Sequence, residues 1–404
     1  MGILVQKFGG TSVESYEKMA KICDIVKTQK DKGLDLVLVV SAMGRKGAPY
    51  ATDTLISLCN EINPNPSKRE MDIIMSCGEM ISGTILVNML IGKGINAEFL
   101  TGQQAGILTT DIYSDARIKY INPSRIKQAL KQNKVVVIAG FQGVTDEGEI
   151  TTLGRGGSDT SAVAIGKALE CDTVEIYTDV DGIMTADPRI EPEAKILDFI
   201  DYEEVFQMAD KGAKVIHPRA VQLAKSGNIT LAIKNAMNPT YKGTKIGYMV
   251  SYTSDVDAYE EENELKVAVA HKDNIAQVKI KTEEEKFTEV MDEIVNKNIS
   301  IDMINFFIKE KTFVIDEVNI EELKVVLDSF DLDYKIVRDC AKVTLIGSKI
   351  VAVPGIMSKI VRGLSKDGIS LLQTSDSHMT ISCLVHRDDM KRAVHAIHHE
   401  FYIK

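Results

Sequence analysis

The sequence predicts an α/β protein: a mainly parallel sheet sandwiched by helices, followed by two smaller α+β units of the ferredoxin-like kind. Three observations carry this. Residues 3–40 read strand, helix, strand, which implies a parallel pair. Residues 36–40 (Leu36-Val37-Leu38-Val39-Val40) and Val135–Ala139 are continuous apolar runs, the pattern of strands buried on both faces. Beyond Glu260-Glu261-Glu262 the rhythm changes to two successive β-α-β-β-α sets.

Bulk properties bound the function. With 404 residues, the chain is long enough for two or three domains. The net charge of −10 gives no support to nucleic-acid binding, which needs a basic face, and disfavours anionic membranes. No uninterrupted apolar run approaches the roughly 20 residues that span a bilayer. Residues 1–5 pass straight into a strand without a leader pattern, so a cytoplasmic protein is expected. Gln6 stands where a myristoylation signal needs Ser or Thr. Cys23, Cys59, Cys77, Cys171, Cys340 and Cys383 form no C-x-x-C pair, so they read as reduced, mostly core residues.

Taken in order, residues 3–5 form a strand and Tyr16, Met19, Ala20, Cys23 and Val26 a helix that Gly33 ends. A buried strand at 35–42 closes in Ser41-Ala42-Met43-Gly44. After a polar stretch at 45–51, Thr52-Asp53 starts a helix that runs to Ile62. Residues 69–91 form a long helix with Gly78-Glu79 in its middle. Strands at Ala97–Leu100 and 106–109, a helix at 123–132 and the strand Val135–Ala139 follow. Gly140-Phe141-Gln142-Gly143 ends that strand, and Asp146-Glu147-Gly148-Glu149 is a hairpin turn. A glycine-rich turn leads into a helix at 162–169, with Ser158 or Asp159 as its cap. A strand at 173–177, a capping box Asp201-x-x-Glu204 and a helix ending near Gly227 complete the first region, 1–250. Residues 242–263 form the boundary. The two smaller units occupy 264–335 and 336–404 and are expected to interleave, the strand at 265–270 belonging with the C-terminal unit.

Three turns carry the chemistry, each following a strand of the same sheet. In Val5-Gln6-Lys7-Phe8-Gly9-Gly10-Thr11-Ser12-Val13, a glycine turn between strand and helix aims backbone N–H groups at an anion, and Lys7 adds a full charge. Alone, this stretch reads more simply as an ordinary turn with a surface lysine, since it is not the Walker pattern. In Gly154-Arg155-Gly156-Gly157-Ser158-Asp159, a forked donor and a carboxylate stand close together, and Arg155 suits a substrate carboxylate. In Thr178-Asp179-Val180-Asp181-Gly182-Ile183-Met184, continuing to Asp187-Pro188-Arg189, hydroxyl, carboxylates and arginine suit a nucleotide's ribose and phosphates. Lys214 offers a second phosphate cation, whereas His217 reads as structural. Glu79, among Met75, Cys77, Met80 and Ile81, is either a solvated helix residue or an inward carboxylate that holds a cation. Positioning and cations without a protein nucleophile are what phosphoryl transfer needs.

Residues 5–13, 41–44, 154–162 and 178–189 resemble the signature segments of aspartate kinases, of the amino-acid kinase fold. The resemblance covers essentially the whole chain, with two regulatory units of the ACT type at its C-terminal end, and is to the monofunctional enzymes. It implies ATP-dependent phosphorylation of the L-aspartate side-chain carboxylate to 4-phospho-L-aspartate, the first step towards lysine, threonine and methionine. It places Lys7 on the transferring phosphate, with Phe8, Gly9 and Gly10 beside it. Asp159 would orient Lys7 and the substrate. Arg155 would grip the α-carboxylate and Glu79 the ammonium, with Ser41 and Thr52 lining the pocket. Thr178, Asp179, Met184, Arg189, Lys214 and Val215 would take the nucleotide. Mg2+ would be held mainly by the ATP phosphates, and no protein metal ligand is assigned.

The resemblance further implies feedback by an amino-acid effector at Asp302, Met303, Ser375 and Asp376, and a homodimer or homotetramer joined through the ACT units. The segment 45–51 departs from the family pattern before Thr52. The acidic turn Lys281-Thr282-Glu283-Glu284-Glu285 lacks the usual glycine, and Asn305-Phe306 replaces a polar pair. Its negative charge suits lysine better than threonine as effector. Two other readings are a kinase of the same fold acting on glutamate or acetylglutamate, and a non-enzymatic amino-acid sensor. The tandem C-terminal units disfavour the first, and the joint presence of Lys7, Arg155, Asp159 and Asp179 the second.

Overall fold

The computed structural model describes residues 2–213, 216–248, 267–348, 350 and 353–402. The chain divides into two compact units. One holds Met1–Ile183, Ile196–Phe206 and Lys214–Val250; the other holds Met184–Lys195, Gln207–Ala213 and Ser251–Lys404. The later parts of the expected boundary at 242–263 and the start of the strand at 265–270 lie outside the described residues.

The first unit is built on an eight-stranded sheet. Its order is Phe199–Asp201, Thr244–Gly247, Thr230–Asn235, Thr173–Thr178, Ile3–Phe8, Asp35–Val40, Val135–Ala139, Ala97–Leu100. Every neighbouring pair is parallel except Thr230–Asn235 with Thr244–Gly247. The apolar runs fall in the middle of the sheet, where helices cover both faces, and Val135–Ala139 is buried throughout. On one face the helix Tyr16–Asp31 packs Met19, Ile22, Cys23 and Val26 against Phe8, Leu36, Leu38 and Val40. On the other face lies the helix Gly157–Ala168, where Gly166 lets the helix close onto Val174.

A smaller four-stranded sheet orders Ile118–Ile121, Ile107–Thr109, Gln142–Val144 and Ile150–Thr152. Gln142–Val144 and Ile150–Thr152 form the hairpin around the expected turn. Gln142 and Gly143, expected to end a strand, start one instead, because Phe141 adopts a left-handed φ of 68° and restarts the chain in a new direction. Five strands were not anticipated: Ile118–Ile121, Phe199–Asp201, Thr230–Asn235, Thr244–Gly247 and, in part, Gln142–Val144. They are short or polar, and sheet pairing rather than local pattern defines them. The helix Lys68–Gly92 is, at 25 residues, long and apolar enough by composition to cross a membrane. Its Leu86, Val87 and Leu90 are buried in this unit's core.

Two helix starts differ from expectation. The glycine turn does not open the first helix; a 3-10 turn, Gly10–Ser12, intervenes, and Ser15 caps Tyr16–Asp31 by accepting from Lys18 N at 3.3 Å. The helix at 162–169 begins earlier, at Gly157, and its N-cap is Gly156 at φ 68°. Asp159 therefore lies in the first turn, where a carboxylate complements the helix dipole.

The second unit carries a six-stranded antiparallel sheet. Its order is Ile301–Phe306, Glu310–Asp316, Ala268–Lys281, Asp333–Ile346, Thr380–His386, Gln373–Asp376. Ala268–Lys281 and Asp333–Ile346, each 14 residues long, run through both halves of it. The register shifts between Lys272 and Ile275, where Asn274 is left-handed, so the inward set of side chains changes parity. Ala276, Val278 and Ile280 then pack with the helices Glu284–Asn296 and Ile320–Ser329. Val267 and Val269 join Ile381, Cys383 and Val385 under the helices Ile356–Lys366 and Met390–Tyr402. The two edge strands meet, because Gln373 Nε2 donates to Met303 O and, at 2.6 Å, to Asn305 Oδ1.

Leu38 has no exposed surface and sits in the core of the first unit. Leu38→Ala should lower the unfolding free energy by about 2–5 kcal/mol in chemical denaturation.

Candidate functional site

The strands Ile3–Phe8, Asp35–Val40 and Thr173–Thr178 are parallel neighbours, so their C-terminal ends open on one edge. Their backbones hold one another there. Phe8 O accepts from Ser41 N at 3.1 Å, Tyr177 O from Gly9 N at 3.3 Å, and Gly10 O from Gly44 N at 3.0 Å. A Cβ on Gly10 would stand 2.7 Å from Ala42 O and 2.8 Å from Gly44 O, so only glycine fits. The ring of Phe8 stacks on Tyr177 at 4.7 Å.

Strand alternation turns Lys7 to the opposite face from Phe8, towards the helix Gly157–Ala168. Its Nζ stands 2.7 Å from Asp159 Oδ1, with both side chains nearly buried. The approach lacks hydrogen-bond alignment, so Asp159 Oδ1 has no hydrogen-bond donor among the described residues. An ammonium and a carboxylate taken this far from water each need the other. The pair leaves a nearly buried cation beside the glycine turn.

Glu79 is an inward residue, 2% exposed. Gly78 allows this, since a Cβ there would stand 2.6 Å from the Ala42 Cβ. The helix Lys68–Gly92 thus comes close enough for Glu79 Oε1 to accept from Ala42 N at 3.0 Å. Glu79 Oε2 is buried without a partner. Burial pushes the carboxyl up to about 8, against the lowering effect of the Ala42 amide. Ser82 Oγ donates to Ser41 O at 2.7 Å and fixes the same strand end. Ser41 and Thr52, the latter opening the helix Thr52–Ile62, are half-buried.

Arg155 is exposed, between Gly154 at φ 71° and Gly156 at φ 68°. Its loop is braced by residues that sequence reasoning missed. Asp72, fully buried, accepts from Thr152 N at 2.7 Å, Thr152 Oγ1 at 2.9 Å, Ser114 N at 3.0 Å and Ser114 Oγ at 3.1 Å. Arg219 donates to Leu153 O at 3.1 Å and to Asp115 Oδ1 at 2.6 Å. His217 packs on Gly156, caps the helix Pro218–Gly227, and is held neutral by burial and by the Arg219 charge. Asp72 had a sequence signal: it lies two helical turns before Glu79, with Ser76 and Gly83 on the same stripe.

On the third turn, Thr178 Oγ1 donates to Asp179 Oδ1 at 3.2 Å, and Arg45 pairs with Asp179 Oδ2 at 2.7 Å. Asn235 donates to Asp181 Oδ1 at 2.7 Å. Behind it, Gln6, Tyr177 and Lys234 all donate to the buried Glu175, a cluster the sequence did not reveal. Met184 and Arg189 fall in the second unit. Met184 packs on its C-terminal core, and Arg189 forks onto Asp187 at 2.6 and 3.0 Å. Lys214 and Val215 lie outside the described residues.

In the second unit Asp302 pairs with the buried Lys342, whose charge and hydrogen bond outweigh burial and hold the carboxyl below its usual range. Met303 is left-handed, at φ 48°. Both stand where the sheet edges meet, beside the strand Gln373–Asp376 that carries Ser375 and Asp376. Among the described residues no group of three or more His, Cys, Asp or Glu side chains is placed to hold a metal ion.

A model of the amino acid kinase family matches residues 2–235, and an ACT domain model matches 335–399. Aspartokinase 1 of Bacillus subtilis (strain 168) is 41% identical over 404 residues, 99% of each chain. The crystal structure of Clostridium acetobutylicum aspartate kinase aligns with a TM-score of 0.79 at 23% identity, over 98% of this chain and 100% of that one. That of E. coli aspartokinase III with aspartate and ADP aligns at 0.75 and 24%, over 99% and 100%.

Two outcomes follow from these contacts. Glu79 binds a proton more tightly folded than unfolded, so it should make stability fall as pH rises from its ordinary value of 4.5 to about 8. Glu79→Gln should flatten that slope in urea titrations at stepped pH. Asp72→Ala strands buried donors and should cost about 3 kcal/mol, with Asp72→Asn recovering part of it.

Proposed function

The chain belongs to the aspartokinases of the amino acid kinase family and is an aspartate kinase, and on that premise we propose how its own residues carry the reaction. The substrate is L-aspartate, and ATP phosphorylates its side-chain carboxylate to 4-phospho-L-aspartate. The observation that carries the assignment of roles is the Lys7–Asp159 pair beside the glycine turn.

An aspartate side chain is ionised at neutral pH and attacks without a general base. The barrier lies in bringing two anions together and in the charge that gathers on the transferring phosphoryl group. Lys7 answers both, and Asp159 fixes where its ammonium stands. The Gly10 amide lies against the phosphates, while the Gly9 amide is held by Tyr177 O and Phe8 seats the turn through its stack on Tyr177. Arg155, exposed on a braced loop, takes the α-carboxylate as a fork. Glu79, whose Oε2 lacks a partner, takes the α-ammonium. Ser41 and Thr52 line this side. Thr178 and Asp179 take the nucleotide, together with Met184, Arg189, Lys214 and Val215.

Mg2+ adds neutralising charge when it arrives with ATP, and the phosphates rather than a protein cage hold it. The product is the first intermediate towards lysine, threonine and methionine. The seam at Asp302, Met303, Ser375 and Asp376 is the proposed effector site, with lysine favoured over threonine. The enzyme works in the cytoplasm as a homodimer or homotetramer joined through its ACT units. The exposed Phe306, Phe307 and Ile308 beside an edge strand support that contact.

The test offers aspartate and glutamate separately with ATP. Turnover with aspartate is expected; turnover with glutamate only, or with neither, overturns the reading. Lys7→Ala should lower kcat by about 100-fold or more while circular dichroism stays native. A rate unchanged by both lysine and threonine would refute feedback by either alone. Binding of aspartate should also release a proton near pH 7, because its ammonium draws Glu79 back to the ionised form. Calorimetry in buffers of different ionisation heat reads this, and Glu79→Gln should abolish it.

A further inference from the structure

The segment Met184–Lys195 belongs to the second unit although it continues directly from the Asp179 loop. Its attachment there is extensive. Ala186 and Ala194 are part of the core beneath the helices Ile356–Lys366 and Met390–Tyr402, with Met184 and Ile190 packed against it. Thr185 O accepts from Val269 N at 2.7 Å, where the strand Ala268–Lys281 has no neighbour from Glu310–Asp316. The segment therefore completes both the sheet edge and the core of this half.

At its centre is a buried acid that none of the proposed roles uses. The Glu191 side chain is 1% exposed. Glu191 Oε1 accepts from Glu193 N at 3.0 Å, and Oε2 stands 2.6 Å from His395 Nδ1. The fully buried His398 faces the same oxygen at 3.9 Å through Nδ1. Thr185 Oγ1 accepts from Lys195 N at 2.9 Å and shares a hydrogen bond of 2.9 Å with His398 Nε2. His398 Nδ1 itself is buried without a hydrogen-bond partner among the described residues. The ring stacks on Tyr402 at 4.6 Å. Glu191 thus engages His395 and Thr185 engages His398, and burial makes the Thr185–His398 contact costly to lose.

We propose that Glu191 is a positioning residue for the nucleotide side, held by His395 while Thr185 is held by His398, so that the C-terminal half of the regulatory unit sets the conformation of Met184–Lys195. This rests on the reading of residues 178–189 as the nucleotide turn. Covalent continuity then carries any rearrangement of that half into the turn. Nucleotide affinity, and not aspartate affinity, is the quantity that changes.

The test uses the full chain and the variants Glu191→Gln, His395→Gln and the double variant. It measures KM for ATP and for aspartate, and ATP binding by calorimetry. Each single variant should raise the KM for ATP about threefold to tenfold and leave that for aspartate within about twofold. The double variant should be no worse than the worse single one, as for residues acting as one unit. Equal changes in both KM values, or a lowered melting temperature with unchanged KM values, would overturn the proposal and leave the cluster a structural brace. His395 is half-exposed, so His395→Gln keeps the test open should Glu191→Gln fail to fold. A wild-type chain that binds ATP without phosphorylating aspartate would defeat the proposed function alone, since the binding arm still reads Glu191.

Discussion

The ammonium of Lys7 is nearly buried, and a charge taken that far from water needs a counter-charge. Its counter-charge cannot come from its own strand, because neighbouring side chains there point to the other face. It comes from Asp159, on a helix reached only after the intervening strands have been laid down. Ile3–Phe8 is central, flanked by Asp35–Val40 and Thr173–Thr178, so the turns after these three strands open on one edge; the Gly154–Asp159 turn, expected after a strand of the same sheet, instead follows Ile150–Thr152 of the four-stranded sheet. Glycine at position 10 then lets two of those turns touch backbone to backbone.

Around this pair the charges are unevenly settled, and the unevenness is chemically informative. Asp72 has four donors, and Glu175 has three side-chain donors around it. These acids are satisfied by the protein and brace it. Glu79 has one amide and a bare oxygen, and Arg155 has no acid against it among the described residues. A buried acid short of partners and an exposed fork on a stiff loop are complementary to a zwitterion. The satisfied groups hold the frame, and the unsatisfied ones are those the proposed reading gives to the substrate.

Much of this was legible in the sequence because it rests on local pattern. Apolar runs located the interior strands, and glycine with charge located the turns. Glu79 was visible as an oddity, an acid in an apolar helix, though only the fold shows that Gly78 admits it to the strand end. Asp72 was missed, although its spacing from Glu79 put it on the same face. The strands Thr230–Asn235 and Thr244–Gly247 were missed because pairing, not pattern, makes them strands. The N-cap at Gly156 was misplaced onto Ser158 or Asp159, since a left-handed glycine leaves no side-chain signature.

The placement of Met184–Lys195 was the least legible feature, and the reason is physical. Its Asp-Pro turn and its arginine read as part of the nucleotide loop, and nothing local shows where its small apolar residues are buried. Ala186 and Ala194 are too small to mark an amphipathic face, yet they complete a core built otherwise from residues after 266. A segment whose backbone closes a sheet edge cannot be released without exposing that edge and core to water. It is therefore a built part of the regulatory fold. In the proposed role of Glu191, the covalent chain alone carries the influence of one unit to the other, and the contacts of Glu191 set how stiff that link is.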